Sequence, residues 1–307
     1  MKILITEFME IKSIELLKKN FDVIVDLDLS KNLYKLKDSI NNFDVLIVRN
    51  KTQINKEILK NAHNLKFIGR LGVGLDNIDI DYCKKNNIYV QPAMGMNADS
   101  VAEFVINASL SLLKKIPLMH QETLLGNWPR TLISSKELKG KTFGLLGFGL
   151  IAKKVSILAK IFGTNIIAYD PFVDQVVADE FNTKLIDKDE LFERADIISI
   201  HLPLTDSTKN LINYNAFEKM LKQPLIINSS RGSIINEKDL LRAYEEKLIS
   251  GFALDVYETE PVIKEFLHRI KKNMNCILTP HIAGITEESN TRVSEFIASK
   301  VIEFFKL

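Results

Sequence analysis

The stretch Lys141-Thr-Phe-Gly-Leu-Leu-Gly147-Phe-Gly149-Leu-Ile-Ala152-Lys-Lys-Val155 joins a short apolar run to a helical pattern through two glycines. This order predicts a strand, a tight turn and a helix. Gly147 permits the sharp reversal, Gly149 lacks the Cβ that would hold a phosphate away from the backbone, and the small Ala152 lets the helix lie close to the strand. The free N–H groups at the start of such a helix favour a pyrophosphate.

An acidic residue follows the next predicted strand. Asp170 comes directly after Asn165-Ile-Ile-Ala-Tyr169 and lies 18 residues beyond Ala152. A carboxylate about 20 residues after the glycine turn accepts the ribose hydroxyls of a dinucleotide and repels a 2′-phosphate, so the pattern favours NAD over NADP. Two alternatives stay open at this point. Glycines close many βα turns for packing alone, and Asp170-Pro171 is also an ordinary turn starter.

Composition limits the class of protein. The 307 residues suffice for two domains, each with its own core. The 41 Lys and Arg residues nearly balance the 39 Asp and Glu residues, so neither nucleic acid nor a membrane surface is an expected partner. Cys83 and Cys276 cannot form a disulfide framework, and no Cys/His spacing predicts a metal site. No signal peptide or membrane span is predicted, which favours a cytoplasmic protein.

Short β-branched runs alternate with segments of helical period along the chain. The first series lies at residues 2–6, 22–26, 45–48, 66–69 and 88–90. The second lies at residues 141–146, 165–169, 197–200, 225–228, 251–255 and 276–279. Strands that alternate with helices predict parallel sheets covered on both faces. The expected fold class is therefore α/β, with two doubly wound parallel-sheet domains whose ligands gather at the carboxyl ends of the strands.

Two strand ends of the first domain carry arginine. Arg49 follows Val48, and Arg70 belongs to the run Gly69-Arg70-Leu-Gly72-Val73-Gly74. Guanidinium groups bind carboxylate or phosphate oxygens in bidentate fashion, and glycines can turn successive N–H groups toward an anion. Either arginine alone would more often be a solvated or salt-bridged side chain. Their positions at the ends of consecutive strands make an anion site an equally good interpretation.

Two helices bear on the assembly of the domains. A helix predicted from about Val101 to Leu118, with Pro117 limiting its end, is apolar on more than one face, which suggests a subunit interface. The last helix, at about residues 286–305, has a single apolar face. It follows the second domain, so we expect it to pack back on the first domain and the two chain crossings to form a hinge.

Three residues with complementary chemistry follow strands of the second domain. Arg231, Glu260 and His281 are 29 and 21 residues apart, so only a shared sheet edge would bring them together. Arg231 would hold a substrate carboxylate, His281 would exchange a proton with the hydroxyl oxygen while hydride moves, and Glu260 would orient the imidazole and favour its protonated form. Alternatively, His281 is a histidine satisfied by backbone and Glu260 a solvated loop carboxylate.

Five motifs together resemble the signatures of the D-isomer-specific 2-hydroxyacid dehydrogenase family. They are Gly147-Phe-Gly149-Leu-Ile-Ala152, His201-Leu-Pro203, Asn228-Ser-Ser-Arg231-Gly232, Ala253-Leu-Asp255-Val-Tyr-Glu-Thr-Glu260-Pro261 and Thr279-Pro-His281-Ile-Ala-Gly284. The resemblance runs in order from about Val45 to Gly284. It implies a Rossmann NAD-binding domain, residues 98–282, inserted into a flavodoxin-like substrate domain, residues 1–97 and 283–307. It also implies a homodimer built on the cofactor domain.

The resemblance assigns roles residue by residue. The implied catalytic set is Arg231, Glu260 and His281. The implied NAD-binding set is Gly147, Gly149, Leu150, Ile151, Asp170 on the ribose, His201, Pro203, Ser229, Ser230, Asp255 near the nicotinamide carboxamide, His281 and Gly284. The implied substrate-binding set is Arg49, Arg70, Gly72, Val73 and Gly74, and no metal is implied. Leu150 stands where many relatives carry a basic side chain, so we expect the pyrophosphate to bind less tightly or to rely on Lys153.

Within the family, the loops at residues 48–52 and 69–77 resemble the substrate loops of the D-3-phosphoglycerate dehydrogenases, where two arginines are associated with the substrate phosphate. This implies oxidation of D-3-phosphoglycerate to 3-phosphohydroxypyruvate, the first step of L-serine biosynthesis. The chain ends 26 residues after His281, so a C-terminal regulatory domain and feedback inhibition by serine are not expected.

Other functions stay open. A reductase of hydroxypyruvate or glyoxylate, or another D-2-hydroxyacid dehydrogenase, would share the catalytic set. A non-catalytic NAD-sensing protein is the weaker alternative, because no partner-binding tail or basic DNA element is present. Formate-type dehydrogenases are disfavoured because Glu260 is present.

Overall fold

The computed structural model describes residues 1–130, 134–270 and 274–306. The strands are β1 Lys2–Ile5, β2 Asp22–Val25, β3 Val45–Val48, β4 Phe67–Arg70, β5 Tyr89–Pro92, β6 Thr142–Leu146, β7 Asn165–Tyr169, β8 Lys184–Leu185, β9 Ile197–Ile200, β10 Leu225–Asn228, β11 Gly251–Leu254 and β12 Cys276–Leu278. The helices are α1 Ile11–Lys18, α2 Leu33–Ser39, α3 Lys56–Leu59, α4 Ile80–Lys85, α5 Ala98–Leu113, α6 Ile116–Leu124, α7 Leu150–Ile161, α8 Gln175–Asp179, α9 Lys188–Arg194, α10 Tyr214–Glu218, α11 Glu237–Glu245, α12 Lys264–Arg269 and α13 Glu287–Phe304.

The chain forms two compact units, Met1–Asn97 with Ile285–Leu307, and Ala98–Gly284. The first contains a five-stranded parallel sheet in the order β2-β1-β3-β4-β5, which is the flavodoxin-like order. The second contains a seven-stranded parallel sheet in the order β12-β11-β10-β9-β6-β7-β8. The six strands from β8 to β11 reproduce the Rossmann order, in which the direction of winding reverses between β6 and β9, and β12 adds a seventh strand at the edge. The predicted α/β fold class is confirmed.

The three central strands of the first unit, β1, β3 and β4, are largely buried on both faces, which explains their almost continuous apolar sequences. Side chains such as Leu4, Leu46 and Ile68 pack on one face with α2, α3 and α4. Their neighbours, such as Ile3 and Ile47, pack on the other face with α1 and α13. Because successive residues of a strand point to opposite faces, a single run of branched side chains builds both cores.

The last helix agrees with its prediction. Thr286 caps α13 by accepting a hydrogen bond from the N–H of Ser289, and Ile297 on its apolar face is fully buried. A Cβ added to Gly69 of β4 would lie 2.6 Å from Cγ2 of Ile297, so the glycine allows the helix to lie close to the sheet. At its other end Phe304 stacks on Tyr89, with ring centroids 5.4 Å apart. This helix belongs to the first unit, as predicted.

The prediction of one helix from Val101 to Leu118 was wrong. Helix α5 ends at Leu113, Lys115 adopts a left-handed conformation with φ 53°, and α6 begins at Ile116. Pro117 starts this second helix instead of limiting the first, because proline in a first helical turn loses no intrahelical hydrogen bond. The apolar faces of α5 pack against α7 and the neighbouring sheet of the same unit, so its burial does not require a subunit interface.

The two-residue edge strand β8 was not predicted, because Lys184-Leu185 is too short to show a period.

None of the helices within the described ranges combines the length and the apolar character that crossing a membrane requires.

Candidate active site

The turn between β6 and α7 contains two glycines that serve different purposes. Gly147 has φ +88°, and an added Cβ would lie 2.6 Å from the carbonyl oxygen of His201, so the turn packs directly against the end of β9. At Gly149, the residue before α7, an added Cβ would meet no described atom within 4 Å. Gly147 is therefore required by the protein's own packing. Gly149 leaves open space beside the N–H groups at the start of α7, where a pyrophosphate fits.

Asp170 connects the glycine turn to the end of β7. One carboxylate oxygen accepts the N–H of Phe148 at 2.8 Å and the other accepts the N–H of Phe172 at 2.9 Å. A carboxylate oxygen has a second acceptor site, so both oxygens can still accept ribose hydroxyls. Near the turn, Leu150 is 57% exposed, and the ammonium group of Lys153 lies 5.2 Å from the ring centroid of Phe181. The half-buried Ile151 packs on the core beneath the turn.

The ends of β9 and β10 carry two buried polar atoms whose hydrogen-bonding capacity is unused in the described part of the chain, Nε2 of His201 and Oγ of Ser229. Burial lowers the pKa of His201 to about 3, so its imidazole is neutral near pH 7. Buried polar groups are rarely left without a partner, and a polar ligand at this edge would satisfy both atoms. The neighbouring Ser230 instead donates to Oδ1 of Asn228 at 2.8 Å. Pro203 is exposed beyond His201.

Glu260 and His281 form the central contact of the site. Nδ1 of His281 lies 2.7 Å from Oε2 of Glu260, and Oε1 of Glu260 accepts the N–H of Tyr257 at 3.2 Å. With Nδ1 held by the carboxylate, Nε2 is the ring atom left to exchange a proton. His281 has φ 58°, a left-handed conformation that is uncommon for a residue with a side chain and is concentrated at functional sites.

The segment that carries His281 is fixed by Asp255, whose side chain is almost completely buried. Its carboxylate accepts hydrogen bonds from Oγ1 of Thr279 at 2.7 Å and from the N–H groups of Ile282 and Ala283, both at 2.8 Å. The resemblance places Asp255 near the nicotinamide carboxamide. The described hydrogen bonds of its carboxylate all go to residues on either side of His281, which is a positioning role that the sequence did not indicate. Gly284 ends this segment.

Arg231 lies at the end of β10, next to the strand that precedes Glu260. Its Nη1 donates to the carbonyl oxygen of Ser230 at 2.6 Å. A Cβ on the following Gly232 would lie 1.9 Å from the carbonyl carbon of Tyr257, so this backbone packs tightly on the loop that carries Glu260. Arg231, Glu260 and His281 thus follow the adjacent strands β10, β11 and β12, and the direct contact described among them is that of Glu260 with His281.

A pair of glutamates that sequence reasoning missed joins the same two segments. Glu237 at the start of α11 accepts the N–H of Glu258 at 2.7 Å, and Glu258 accepts the N–H of Glu237 at 2.8 Å. Burial, and secondarily the charge of Glu258, raise the pKa of Glu237, while the hydrogen bond from Glu258 opposes the shift. The two residues are 21 positions apart and no local pattern connects them.

In the first unit, the loop after β3 is built around a buried carboxylate that the sequence analysis also missed. Glu7, which follows β1, accepts the N–H groups of Arg49 at 2.8 Å, Lys51 at 3.1 Å and Thr52 at 3.0 Å, together with Oγ1 of Thr52 at 2.8 Å. The amide of Asn77 donates to the carbonyl oxygens of Arg49 at 3.1 Å and Thr52 at 2.7 Å. The loop that carries Arg49 is therefore held on both sides. Glu7 could have been found, because it follows a predicted strand at the same sheet edge.

Arg49 and Arg70 lie on adjacent strands, since Val48 pairs with Arg70 in the register of β3 and β4. Burial lowers the pKa of Arg49, and the charge of Glu7 opposes that shift. The guanidinium of Arg70 folds over Gly72, where an added Cβ would lie 1.5 Å from Nη1.

The predicted amide donors of this second loop are only partly available. The N–H of Gly72 donates to the carbonyl oxygen of Arg70 at 2.7 Å. A tight turn therefore uses that N–H in this structure, and the assignment of Gly72 to the substrate-binding set stays a prediction. Val73 and Gly74, the other predicted binding residues of this loop, are half-buried.

Comparison with known proteins decides the family. Residues 106–283 match the model of the D-isomer specific 2-hydroxyacid dehydrogenase NAD binding domain. The chain belongs to the D-isomer specific 2-hydroxyacid dehydrogenase family. It is similar to the (S)-sulfolactate dehydrogenase of Chromohalobacter salexigens, with 38% identity over 95% of the chain and 94% of that enzyme. It is also similar to the D-3-phosphoglycerate dehydrogenase of Archaeoglobus fulgidus, with 36% identity over 100% of the chain but 58% of that longer enzyme.

The structure of this D-2-hydroxyacid dehydrogenase is similar to that of a solved relative. The D-lactate dehydrogenase of Aquifex aeolicus, crystallised with NAD and lactic acid, superposes with a TM-score of 0.87 at 28% identity, over 100% of this chain and 96% of that one. The chain is therefore an NAD-dependent oxidoreductase with a small 2-hydroxyacid or 2-ketoacid substrate.

Proposed function

We propose that this dehydrogenase oxidises D-3-phosphoglycerate to 3-phosphohydroxypyruvate with NAD, the first step of L-serine biosynthesis. The observation that carries the proposal is the pair of arginines on adjacent strands, Arg49 after β3 and Arg70 at the end of β4. Two guanidinium groups at the same sheet edge match the several oxygens of a phosphate ester. A hydroxyacid without a charged group at C3 would not need both.

The second unit would hold the cofactor. The turn at Gly147 and Gly149 and the N–H groups of Leu150 and Ile151 would bind the pyrophosphate, and Asp170 the ribose. His201, Pro203, Ser229, Ser230, Asp255 and Gly284 would surround the nicotinamide half. When bound, NAD accepts the hydride that leaves C2 of the substrate. The buried Nε2 of His201 and Oγ of Ser229 support this placement, because a polar ligand would supply the hydrogen-bond partners that they lack within the described ranges.

The catalytic residues would divide the remaining work. Arg231 would bind the substrate carboxylate and set the orientation of C2. Nε2 of His281 would take the proton of the C2 hydroxyl as the carbonyl forms, and would return it in the reverse reaction. Glu260 would hold Nδ1 at 2.7 Å and stabilise the imidazolium. Proton transfer by a positioned side chain contributes roughly 10²–10⁴-fold to the rate of such reactions.

A second candidate substrate is (S)-sulfolactate, because the sulfolactate dehydrogenase relative matches along 94% of its own length. Sulfur outranks oxygen in the naming rules, so (S)-sulfolactate and D-3-phosphoglycerate have the same spatial arrangement at C2. Both carry an anionic group beyond C3, and the sulfonate is shorter by one bridging oxygen. The same arginines would therefore serve either substrate, and the reach of their side chains would discriminate between them.

The test is reduction by NADH of 3-phosphohydroxypyruvate, 3-sulfopyruvate, hydroxypyruvate and glyoxylate, compared as kcat/KM. We expect a preference on the order of 100-fold for 3-phosphohydroxypyruvate over hydroxypyruvate, since hydrogen bonds to charged groups contribute about 1.5–3 kcal/mol each. A preference for 3-sulfopyruvate would support the anion site but would make (S)-sulfolactate the substrate. A preference for hydroxypyruvate or glyoxylate would refute the anion assignment. Binding of NADH without turnover of any ketoacid would favour the NAD-sensing alternative.

We also propose that the enzyme is a homodimer built on the second unit. Its helix α6 and the loop that follows expose large apolar side chains, namely Ile116 at 54%, Leu124 at 69%, Leu125 at 55% and Trp128 at 80%. Clustered exposed apolar side chains are typical of interaction surfaces. Light scattering of the purified protein tests the proposal, and a monomer at micromolar concentration would refute it.

A further inference from the structure

The side-chain partner of Arg49 lies on a helix from the other end of the chain. Nη2 of Arg49 donates to Oδ1 of Asn290 at 2.8 Å, across 241 positions of sequence. Asn290 is half-buried in the first turn of α13, where its own N–H donates to the carbonyl oxygen of Thr286 at 3.0 Å. The acceptor therefore sits on a capped and well-anchored part of the helix.

Asn290 is a neutral partner, which matters for the charge of the loop. Across the described ranges no carboxylate lies within ion-pair distance of the Arg49 guanidinium. The nearby carboxylate of Glu7 is occupied by the four donors of residues 49–52 and faces the backbone of the loop. Asn290 thus fixes one N–H of the guanidinium fork without cancelling its charge, and the other donors stay available to an anion.

We propose that Asn290 is a specificity-determining residue that orients Arg49 and, because its amide is uncharged, preserves the positive charge that selects substrates with an anionic group beyond C3. The inference rests on the proposed function, in which Arg49 binds that group. It places the choice between charged and uncharged substrates partly on α13, outside the loops that the sequence motifs mark. The side chain of Asn290 would contact Arg49 and not the substrate, so Asn290 would act by orienting Arg49 and by leaving its positive charge uncompensated.

Two substitutions of nearly equal size separate the two parts of this role. Asn290→Asp keeps an oxygen at the same place but would form an ion pair with Arg49. Asn290→Leu removes the acceptor and adds no charge. Asn41→Asp, at an exposed asparagine of the same unit, is the matched control for one added negative charge. Each protein is assayed with NADH against 3-phosphohydroxypyruvate, or 3-sulfopyruvate where the wild type prefers it, and against hydroxypyruvate.

We expect Asn290→Asp to lower the ratio of kcat/KM for the anionic substrate over hydroxypyruvate by at least about tenfold, through KM and with kcat within about twofold, since a loss of 1.4 kcal/mol in binding is tenfold. Asn290→Leu should also lower the ratio, by a smaller factor, and serves as the test if the aspartate variant does not fold. Asn41→Asp should leave the ratio unchanged. The loss in Asn290→Asp should reside in KM for the anionic substrate alone, which a general defect of folding would not produce.

The outcomes separate this inference from the proposed function. A wild-type preference for the anionic substrate that persists unchanged in Asn290→Asp and Asn290→Leu would overturn the inference and keep the proposed function. Equal losses for both substrates would also overturn it, because they would assign Asn290 a purely structural role. A wild-type enzyme with no preference for an anionic substrate would overturn both.

Discussion

The buried carboxylate of Asp255 accepts the backbone N–H of Ile282 at 2.8 Å, and Ile282 directly follows His281. The same carboxylate also binds Thr279 and Ala283, so three hydrogen bonds enclose the position of the histidine. These three hydrogen bonds explain how His281 is held with φ 58°, a conformation that the local sequence does not favour. The position of the proposed proton-transfer group therefore depends on a residue in the preceding loop.

The first prediction is that Asp255→Asn destabilises the fold and misplaces His281. The amide would turn an NH2 group toward a backbone N–H, so we expect a loss of about 2–3 kcal/mol in the free energy of unfolding. We expect kcat to fall by roughly 10²-fold, because small displacements of reacting groups carry costs of that size. Urea denaturation and steady-state kinetics measure the two effects. Thr279→Val is the matched control, since it removes one of the three bonds and should cost about 1 kcal/mol.

The second prediction concerns the pair Glu260 and His281. His281→Asn should reduce kcat by about 10²–10⁴-fold and leave the Kd for NADH, measured by fluorescence, within a few-fold of wild type. Glu260→Gln should have an intermediate effect on kcat. A kcat in Glu260→Gln equal to that of wild type would show that the 2.7 Å contact is only structural.

The third prediction separates the two glycines of the nucleotide turn. Gly147→Ala should destabilise the fold by about 1–3 kcal/mol, because φ is +88° and the new Cβ would lie 2.6 Å from the carbonyl oxygen of His201. Gly149→Ala should leave the melting temperature close to wild type, since no described atom lies within 4 Å of its Cβ. It should instead raise the Kd for NADH by at least about tenfold, because the methyl group would occupy the space proposed for the pyrophosphate. Unaltered NADH binding in Gly149→Ala would show that the pyrophosphate does not bind at this turn.

Sequence reasoning predicted the features that depend on local pattern. The strands other than β8, the last helix and the sheet edge that Arg231, Glu260 and His281 follow are explained by runs of branched residues and by the rule for parallel sheets. It failed where distant residues decide the structure. Pro117 is compatible with both ends of a helix, and no sequence pattern marks the left-handed Lys115 that separates α5 from α6. Nothing near Arg49 in sequence points to Asn290, and Glu237 meets Glu258 through tertiary folding alone.

The last prediction concerns stability against pH and follows from Glu237. Its pKa is raised above the ordinary value of 4.5, chiefly by burial, so the folded protein binds this proton more tightly than the unfolded chain does. Its contribution to stability is therefore complete below pH 4.5 and is lost as the pH rises through the raised pKa. Glu237→Gln keeps an oxygen for the N–H of Glu258 but has no proton to lose. The stability of this variant relative to wild type should increase as the pH rises from about 4.5 to about 8.

Melting temperatures of wild type, Glu237→Gln and Glu218→Gln, measured across that range, test this expectation. Glu218 is an exposed glutamate of the same unit, so its substitution controls for the loss of one negative charge. The difference between Glu237→Gln and wild type should grow with pH, and the difference for Glu218→Gln should change much less. A difference for Glu237→Gln that is constant with pH would mean that the carboxylate is not held in a desolvated environment.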